Sequence, residues 1–517
     1  MLAAACAPAG GSTAATGRPV VDGTFTVSLT GDPGGLDPHR AATFAPAFVL
    51  AFTYEGLAAR DADGGLVPNL AESWEQRRDS VRFTLRQGVR CASGEPLSLA
   101  DVADNYRYIL DPANHSPLLG AGALPRGTRL SVDEAARTIT LTSPAPQSFL
   151  LDMTGTVPII CRRGLDDRNR LLQDTEGTGL FRLTEAVSNS HYVFSRRDHY
   201  GWAAGGTRSE TPGVPKTVVV RIIPNPTTAA NLLLAGELTA ASIGGPDRRR
   251  IEAAGFRPIR SRAPAVQMWF NQTPGRITAD EDMRRALALA IDVPQLARIG
   301  SAGLGLPPVR LAGAEPMTCP ANVVAAEAPR FDLAGASALL DRAGWVRGPD
   351  GIRSRGGRRL SLSLSWDQDL NDPTSSAYAA EYAVSQWRAL GVEVSARGVS
   401  GAAVSEVLFG TGDYDISLTP IVVSMPGRFL QFVSGDPPPN GLNFPHARIP
   451  GVQRLVQEAN ALPGRASCAK WDEIERLYLR HAAVLPVFDS DNALLTRGAT
   501  FRLNGLVLVA TSIRLVG

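Results

Sequence analysis

The chain has 517 residues, of which 44% are apolar and 20% are charged, and its formal net charge is +2. This length exceeds that of one ordinary hydrophobic core and predicts two or three domains, and the composition is that of a globular protein. The near-neutral charge excludes the strong electrostatic attraction expected of a protein that binds nucleic acid or an acidic membrane surface.

The chain begins with "MLAAACAPAGGSTAATGRP", in which small residues precede Cys6 and a polar, Pro- and Gly-containing tract follows it. Small residues before a cysteine are typical of the end of a lipoprotein signal peptide. We therefore expect Cys6 to be acylated and residues 1–21 to be a signal remnant and flexible tether. The alternative is a disordered N-terminus with a cysteine present by chance. No run of about 18 apolar residues occurs, so no transmembrane helix is predicted.

The first part of the chain predicts mainly strands and one capped helix. Period-two alternation and β-branched content favour strands at 24–30, at 81–86, near 128–142, at 156–161 and in a hairpin over 177–197. Ser98 stands where it can cap a helix over 98–111, and Asp101 occupies the third helical position.

The rest of the chain alternates strands with helices, which favours an α/β fold. The predicted strands are 216–224, 265–273, 360–366, 392–399 and 505–512, and the predicted helices are 227–238, 278–292, 336–345, 375–391 and 465–484. In the helix over 278–292, three- and four-residue spacing places Met283, Leu287, Ala290 and Ile291 on one face.

Motifs for catalysis or metal binding are absent from the sequence. No two of the six histidines have the i, i+4 spacing of a helical metal motif, and neither a G-x-S-x-G nucleophile elbow nor a Gly-Lys phosphate loop occurs. We therefore predict no enzymatic activity, no metal and no cofactor.

If Cys6 carries lipid, four cysteines remain: Cys91, Cys161, Cys319 and Cys468. An even remainder in an exported protein suggests two disulfides. None of the four lies in a C-x-x-C motif, which argues against zinc or redox chemistry. Four cysteines permit three pairings, and the spacing alone does not choose among them.

Six segments carry a resemblance to a known family. In chain order they are "LDPHRA", "YEGLAARDADGGLVPNLAESWE", "VRFTLRQGVRCASGEPLSLADV", "GTGLFRL", "MRRALALAID" and "WDEIERLYLRHAAVLPVFDS". Together they resemble the extracellular solute-binding proteins of family 5, the dipeptide- and oligopeptide-binding group of ABC importers. The resemblance covers the chain from about residue 22 to its end.

The resemblance implies a periplasmic-binding-protein-like fold of type II, cluster C: two α/β lobes joined by hinged crossovers, with a ligand cleft between them and an extra subdomain inserted in the first lobe. We map the first lobe to 22–52, 178–263 and 485–517, the inserted subdomain to 53–177 and the second lobe to 264–484. The pairing Cys91–Cys161 and Cys319–Cys468 is favoured because each pair then stays inside one unit. The family usually has an aromatic residue at the position of Cys91, which supports a disulfide particular to this chain.

By the same resemblance, four segments line the cleft. The predicted ligand contacts are Leu36, His39, Phe270, Asn271, Gln272, Trp366, Asn371, Ser424, Met425 and Arg428. Amide side chains suit a peptide-like ligand, and an indole ring offers a flat apolar wall. Some of these residues have structural alternatives: Asn271 could cap a turn, Trp366 could belong to the core, His39 could be a solvent-facing loop residue, and Arg428 could be a solvated helix residue.

One departure from the family bears on the ligand. Peptide binders of the family often carry an Asp in a Trp-x-x-Asp-like stretch that pairs with the ligand's amino terminus, but the corresponding "LTPIVVSMPGRF" has neither Trp nor an acidic residue. A buried ammonium without a counter-charge is costly, so an ordinary free peptide is disfavoured. Arg428 instead suggests an anionic or carbonyl-rich ligand, or a blocked peptide.

The resemblance thus predicts a monomeric substrate-binding lipoprotein of an ABC importer, anchored by lipid to the outer face of the cytoplasmic membrane. It would capture a peptide, a modified peptide or another polar metabolite and deliver it to the permease subunits, without a nucleic-acid partner. The alternative is an enzyme or a ligand sensor built on the same two-lobe scaffold.

Overall fold

The computed structural model describes residues 17–41, 43–120, 123–368 and 373–517, so Cys6 and Asn371 lie outside the described residues. The strands are β1 (Thr24–Leu29), β2 (Ala58–Arg60), β3 (Leu66–Pro68), β4 (Ala71–Gln76), β5 (Ser80–Leu85), β6 (Arg129–Asp133), β7 (Thr138–Thr142), β8 (Phe181–Val187), β9 (His191–Arg196), β10 (Thr217–Ile222), β11 (Ala240–Ser242), β12 (Arg257–Phe270), β13 (Val346–Arg347), β14 (Arg353–Arg355), β15 (Arg358–Arg359), β16 (Ser361–Asp367), β17 (Glu393–Val399), β18 (Ile416–Leu418), β19 (Val484–Thr496), β20 (Ala499–Thr500), β21 (Leu503–Asn504), β22 (Val507–Leu508) and β23 (Arg514–Leu515).

The α-helices are α1 (Phe44–Leu50), α2 (Leu99–Leu110), α3 (Leu150–Gly155), α4 (Arg162–Asp166), α5 (Pro226–Leu234), α6 (Gly245–Ala253), α7 (Glu281–Leu289), α8 (Val293–Gly300), α9 (Val324–Glu327), α10 (Leu333–Arg342), α11 (Pro373–Leu390), α12 (Gly401–Ser405), α13 (Pro426–Val433), α14 (Val452–Asn460) and α15 (Cys468–Arg480). This alternation of strands and helices confirms the α/β class.

A ten-stranded mixed sheet runs through the molecule in the order β17-β16-β18-β12-β19-β11-β1-β10-β9-β8. Its two central strands, β12 and β19, are long and pair antiparallel from Arg257↔Thr496 to Trp269↔Val484. On one side β16 runs parallel to β17 and β18, and on the other β1 runs parallel to β10 and β11. The two parallel groups are therefore joined through one antiparallel pair.

The register shows that the two parallel groups point toward each other. Strand β18 pairs Leu418 with Met268 on β12, so its carboxyl end lies toward the middle of the central pair. Strand β11 pairs Ser242 with Leu494 on β19, so its carboxyl end also lies toward that middle, from the opposite side. The pairing shifts register around Val266, between these two ends. The strand ends thus frame a crevice across the centre of the sheet.

Separate hydrophobic cores cover the two groups. One core joins β1, β10, α1 and the chain from Leu494 to Leu515, and a second joins β12, β16, α7 and α11. A third packs α13, α14 and α15 together, and a fourth lies on a four-stranded sheet of order β4-β5-β7-β6. The lobe and subdomain boundaries derived from the family resemblance remain a prediction.

The two disulfides are those favoured by the lobe assignment. Cys91 bonds Cys161 inside the fourth core, and Cys319 bonds Cys468 at the start of α15. The sequence separations are 70 and 149 residues.

The helix over 98–111 has the predicted cap. Ser98 Oγ accepts from the Asp101 amide at 3.0 Å, and Asp101 Oδ2 accepts from the Ser98 amide at 3.0 Å, so a reciprocal capping box starts α2. Asp280 likewise caps α7, its Oδ1 accepting from the amides of Asp282 and Met283. Both helices begin where a side-chain acceptor is available to the free amides of the first turn.

The predicted strand at 156–161 is not formed, although Val157, Ile159 and Ile160 are buried. The amide and the carbonyl of Ile160 both bond the Asn105 side chain, at 2.8 and 2.7 Å. A side chain therefore satisfies the backbone groups that a neighbouring strand would otherwise satisfy.

The chain after residue 484 also differs from the expectation. Strand β19 runs on to Thr496, whereas the predicted strand over 505–512 is reduced to β22 and a short 3₁₀ turn, Ala510–Ser512. Among the described residues, no helix combines the length and the apolar character needed to cross a membrane.

Candidate functional site

The crevice framed by the strand ends is the candidate ligand site. We use the name strand-end crevice for the space between the loops that follow β1, β10 and β11 and those that follow β16, β17 and β18. In open α/β sheets, ligands bind outside the carboxyl ends of the strands where the strand order reverses. Here two such edges face each other, so a ligand between them would contact both halves of the sheet.

The loop after β1 holds Leu36 and His39, but both side chains are buried. Leu36 belongs to the first core, and its amide donates to the Leu171 carbonyl at 2.7 Å. The Arg168 Nη2 group donates to His39 Nδ1 at 3.0 Å, so the ring proton is on Nε2, which donates to the Pro158 carbonyl at 2.9 Å. These bonds fix the loop.

The environment keeps His39 uncharged. Burial, together with the neighbouring Arg168 guanidinium, lowers the pKa of His39 to about 4. Arg168 is in turn paired with Asp37 at 2.6 Å, and its guanidinium stacks on the Tyr108 ring at 3.3 Å from the centroid. His39 is thus a rigid, neutral member of a buried network rather than a solvent-facing residue.

The segment Phe270–Gln272 lies away from the strand-end crevice. Because β12 runs antiparallel to β18, its carboxyl end reaches the opposite edge of the sheet. Phe270 is fully buried in the second core, and Asn271 Nδ2 donates to the carbonyls of Gly412 and Tyr414, which fits the turn-capping alternative. Gln272 lines a separate cavity of about 440 Å³. This placement disfavours all three as cleft contacts.

Trp366 stands at the end of β16, where the expectation placed it. The ring is half-buried against the second core, and its Nε1 group is buried without a hydrogen-bond partner in the described part of the chain. It lies close to Gly398, where an added Cβ would come within 3.1 Å of the indole. The indole N–H is therefore a buried donor without a described partner at the carboxyl end of β16.

Ser424, Met425 and Arg428 follow β18, at the junction with α13. The Ser424 carbonyl accepts from the Thr318 amide at 3.2 Å, and Met425 is buried in the third core. Arg428 lies in the first turn of α13, and its Nε group is buried without a hydrogen-bond partner among the described residues. Of the predicted contacts, Met425 and Arg428 line the same cavity.

This cavity, which we name the Arg428 pocket, has a volume of about 250 Å³. One wall comes from α13 to α15 and the other from residues 147–153, which precede and begin α3. Ser148 Oγ donates to the Ala459 carbonyl at 2.8 Å and accepts from Trp471 Nε1 at 3.2 Å, so the two walls are bonded to each other. No pattern in the sequence indicates this second wall, because its partners are more than 300 residues away.

Arg428 is half-buried in this pocket, and its electrostatic surroundings are unusual for a cation. Burial and the nearby Arg60 guanidinium lower the pKa of Arg428. Arg60 has a partner, Asp152 Oδ1 at 3.0 Å, whereas no carboxylate of the described residues lies within 4 Å of Arg428. No acidic side chain lines the pocket, while Gln147, Gln431 and Asn460 add amide groups. The described lining of the pocket therefore supplies no counter-charge for Arg428.

Within the described residues, no group of three His, Cys, Asp or Glu side chains could hold a metal ion. The arrangement offers a guanidinium, amides and apolar walls. Such groups bind and orient a ligand.

A sequence profile described as "Bacterial extracellular solute-binding proteins, family 5 Middle" matches residues 65–434. Protein XP55 of Streptomyces lividans is 30% identical over 355 residues, which are 67% of this chain and 62%, less than two thirds, of that protein. The nickel-binding periplasmic protein of Escherichia coli K12 is 29% identical over 395 residues, which are 72% of this chain and 70% of that protein.

Solved structures show the same fold at low identity. The ABC transporter substrate-binding protein CtaP of Listeria monocytogenes superposes with a TM-score of 0.79 at 20% identity, over 96% of this chain and 100% of that chain. NikA of Brucella suis, solved with Fe(III)-EDTA, gives a TM-score of 0.76 at 21% identity, over 96% of this chain and 100% of that chain.

Proposed function

Because the chain belongs to the bacterial extracellular solute-binding proteins of family 5, we propose that it captures a peptide-like small molecule between its two lobes and delivers it to the permease of an ABC importer. The facing carboxyl ends of the two parallel groups support this proposal, because a ligand placed there contacts both lobes at once. The central β12–β19 pair is the connection about which the lobes would move.

Closure about that connection would follow ligand binding. A ligand shifts the balance between open and closed forms only by its difference in affinity for the two. A molecule that bonds both strand-end edges has contacts in the closed form that it lacks in the open one. The permease would then recognise the closed form.

The unpartnered Arg428 is the observation that carries the ligand class. A half-buried guanidinium whose Nε is out of water and unpaired is unfavourable, and a carboxylate or a row of carbonyl groups would remove that cost with directed hydrogen bonds. The pocket volume of about 250 Å³ lies below that of a whole drug-sized site, so it would hold one end of the ligand. The ligand is an anionic or carbonyl-rich molecule, or a peptide whose amino terminus is blocked.

The same proposal includes a lipid anchor at Cys6, which lies outside the described residues. Small residues before this cysteine are its support. A single acyl chain binds a membrane only marginally, so more than one chain would be needed to hold the protein beside its permease.

Isothermal titration tests the ligand class. The panel contains free di- to pentapeptides, the same peptides with acetylated amino termini, and small carboxylates. We expect acetylated or anionic members to bind more tightly than free peptides, and Arg428→Gln to weaken their binding at least tenfold, because a hydrogen bond to a charged group is lost. Arg342→Gln is the matched control, since Arg342 is exposed and no ion pair holds it in the described chain.

A melting curve accompanies the titration. Arg428→Gln should leave the melting temperature unchanged or raise it, because it removes a half-buried cation whose Nε has no partner among the described residues. Micromolar or tighter binding of simple free peptides that Arg428→Ala leaves unaffected would remove the proposed ligand class.

A further inference from the structure

Another cavity lies where β12 begins and β19 ends, in the half of the sheet that contains β1, β10 and β11. Its volume is about 1290 Å³, and its lining includes Arg257 on β12 and Thr496 on β19, which are paired with each other. Seven residues of strand separate Arg257 from Pro264 near the middle of β12, about 23 Å. The cavity is therefore distinct from the strand-end crevice and from the Arg428 pocket.

Four arginines line this cavity: Arg257, Arg497, Arg502 and Arg514. No Asp or Glu side chain lines it, and none of the four guanidiniums forms an ion pair with a described residue. The nearby Arg248 and Arg260, in contrast, share Asp491. Gly517, whose terminal carboxylate is an anion, also lines the cavity, but the four guanidiniums leave a local excess of positive charge in a chain with a net charge of only +2.

Two of the four guanidiniums are held in place. Arg514 donates to the carbonyls of Thr511 at 3.0 Å and Ile513 at 2.7 Å, and to Thr207 Oγ1 at 2.8 Å. Arg497 stacks on the Phe256 ring at 4.0 Å from the centroid. The structure thus orients part of the positive surface before any ligand arrives.

The other two guanidiniums have no hydrogen-bond partner among the described residues. The side chains of Arg257 and Arg502 have no hydrogen bond to another described residue; only the Arg502 backbone amide is bonded, to Ser512 Oγ. Thr500 and Thr511 add hydroxyl groups to the lining. The cavity thus combines two fixed cations, two free ones and neutral donors.

We propose that this four-arginine cavity binds an anion that carries more than one phosphate charge. The planar guanidinium matches two phosphate oxygens at once, and several of them can neutralise a multiply charged group. The volume exceeds what one inorganic anion fills. Both a soluble phosphate compound and the headgroups of anionic lipids have this chemistry.

The position of Gly17 bears on whether the bound anion is a lipid headgroup. Gly17 lines the cavity, and at most about 40 Å of extended chain separates it from Cys6. If Cys6 carries lipid, this face is the one tethered near the membrane. The lipid arm of the test rests on that proposed anchor, and the soluble arm does not.

Two binding experiments with the full chain carrying Cys6→Ser separate the sources. The first titrates inorganic pyrophosphate at low ionic strength, and the second floats the protein with vesicles of phosphatidylglycerol, using phosphatidylcholine vesicles for comparison. We expect the pair Arg257→Gln and Arg502→Gln to weaken binding at least tenfold, and added salt to weaken it in the wild type. The pair Arg330→Gln and Arg342→Gln, at exposed sites, removes the same charge and should have little effect.

Pyrophosphate binding that only the cavity variant loses supports a soluble ligand, and vesicle binding with the same dependence supports a lipid headgroup. No binding of either probe overturns the proposal, as does an equal loss in both variants. Isothermal titration of the acetylated peptides and small carboxylates should give the same affinities in the cavity variant as in the wild type. This comparison keeps the result independent of the importer function.

Discussion

Most buried charged side chains of the described residues have several partners, and Arg428 differs from them in this respect. Glu475 accepts from Arg310 Nη2 at 2.6 Å and from the Leu311 amide at 2.7 Å. Glu55 accepts from Tyr200 Oη at 2.6 Å and Trp202 Nε1 at 3.0 Å. Arg428 Nε has no partner among the described residues. Removing a charged group from water without a partner is costly, so a half-buried Arg428 whose Nε has no partner indicates a binding role rather than a structural one.

His39 should make stability depend on pH. Its folded-state pKa of about 4 lies below the 6.5 of a free imidazole, so the folded protein binds fewer protons than the unfolded one. The stabilisation is complete above about pH 6.5 and is lost as the pH falls toward 4, by about 2–3 kcal/mol. Denaturant unfolding of wild type and His39→Gln between pH 7 and pH 4 measures it.

The variant should show a flatter pH profile than the wild type, since an amide does not titrate. His115→Gln, at an exposed site, is the control and should keep the wild-type profile. Parallel profiles for wild type and His39→Gln would contradict the assignment of this dependence to His39.

At the scale of single elements, local sequence signals determine some helices and strands, and tertiary contacts determine others. The capping box of α2 involves neighbours within three residues and was predicted, whereas the cap of α7 by Asp280, equally local, was not. The segment 156–161 has the apolar run of a buried strand, yet Asn105 on α2 bonds its backbone instead. Sequence patterns report local preference, and a distant side chain overrode it here.

Ser98→Ala should destabilise α2 by about 1 kcal/mol, because the Asp101 amide in the first turn loses the Ser98 Oγ acceptor. Amide hydrogen exchange in α2 should become about fivefold faster if the helix opens locally. Ser131→Ala, at an exposed position on β6, should leave that exchange unchanged. Exchange rates that match the wild type in Ser98→Ala would show that the cap contributes nothing.

At the scale of the whole molecule, long-range links hold each unit together. The Cys319–Cys468 bond closes a loop of 149 residues and the Cys91–Cys161 bond one of 70. The crossing strands β12 and β19 join the two halves of the sheet, and the bonds of Ser148 join the four-stranded unit to α14 and α15. The cavity beside Ser148 exists only because these units pack together.

Replacing Cys319 and Cys468 together with Ser should lower the free energy of unfolding by about 2–4 kcal/mol, because the unfolded chain regains the entropy of the open loop. The Cys91 and Cys161 double variant should lose about 0.5–1 kcal/mol less, since its loop is shorter. Denaturant unfolding without reductant measures both. Non-reducing peptide mapping that shows other pairings would contradict the disulfide assignment itself.

The sequence by itself determined the α/β class, most strand and helix positions, the four paired cysteines and the family. The class and the element positions depend on local periodicity and caps, which neighbouring residues set, whereas the cysteine pairing and the family were inferred from motifs that occur in a fixed order along the chain. It also brought attention to Arg428, because the absence of an acidic residue nearby is visible in the sequence.

Only the tertiary structure decided which predicted contacts could meet a ligand. Phe270, Asn271 and Gln272 were expected at the cleft, but the direction of β12 carries them to the opposite edge of the sheet. The second wall of the Arg428 pocket and the four-arginine cavity bring together residues hundreds of positions apart. Strand direction and packing of distant segments fix such neighbours, and no local pattern in the chain encodes them.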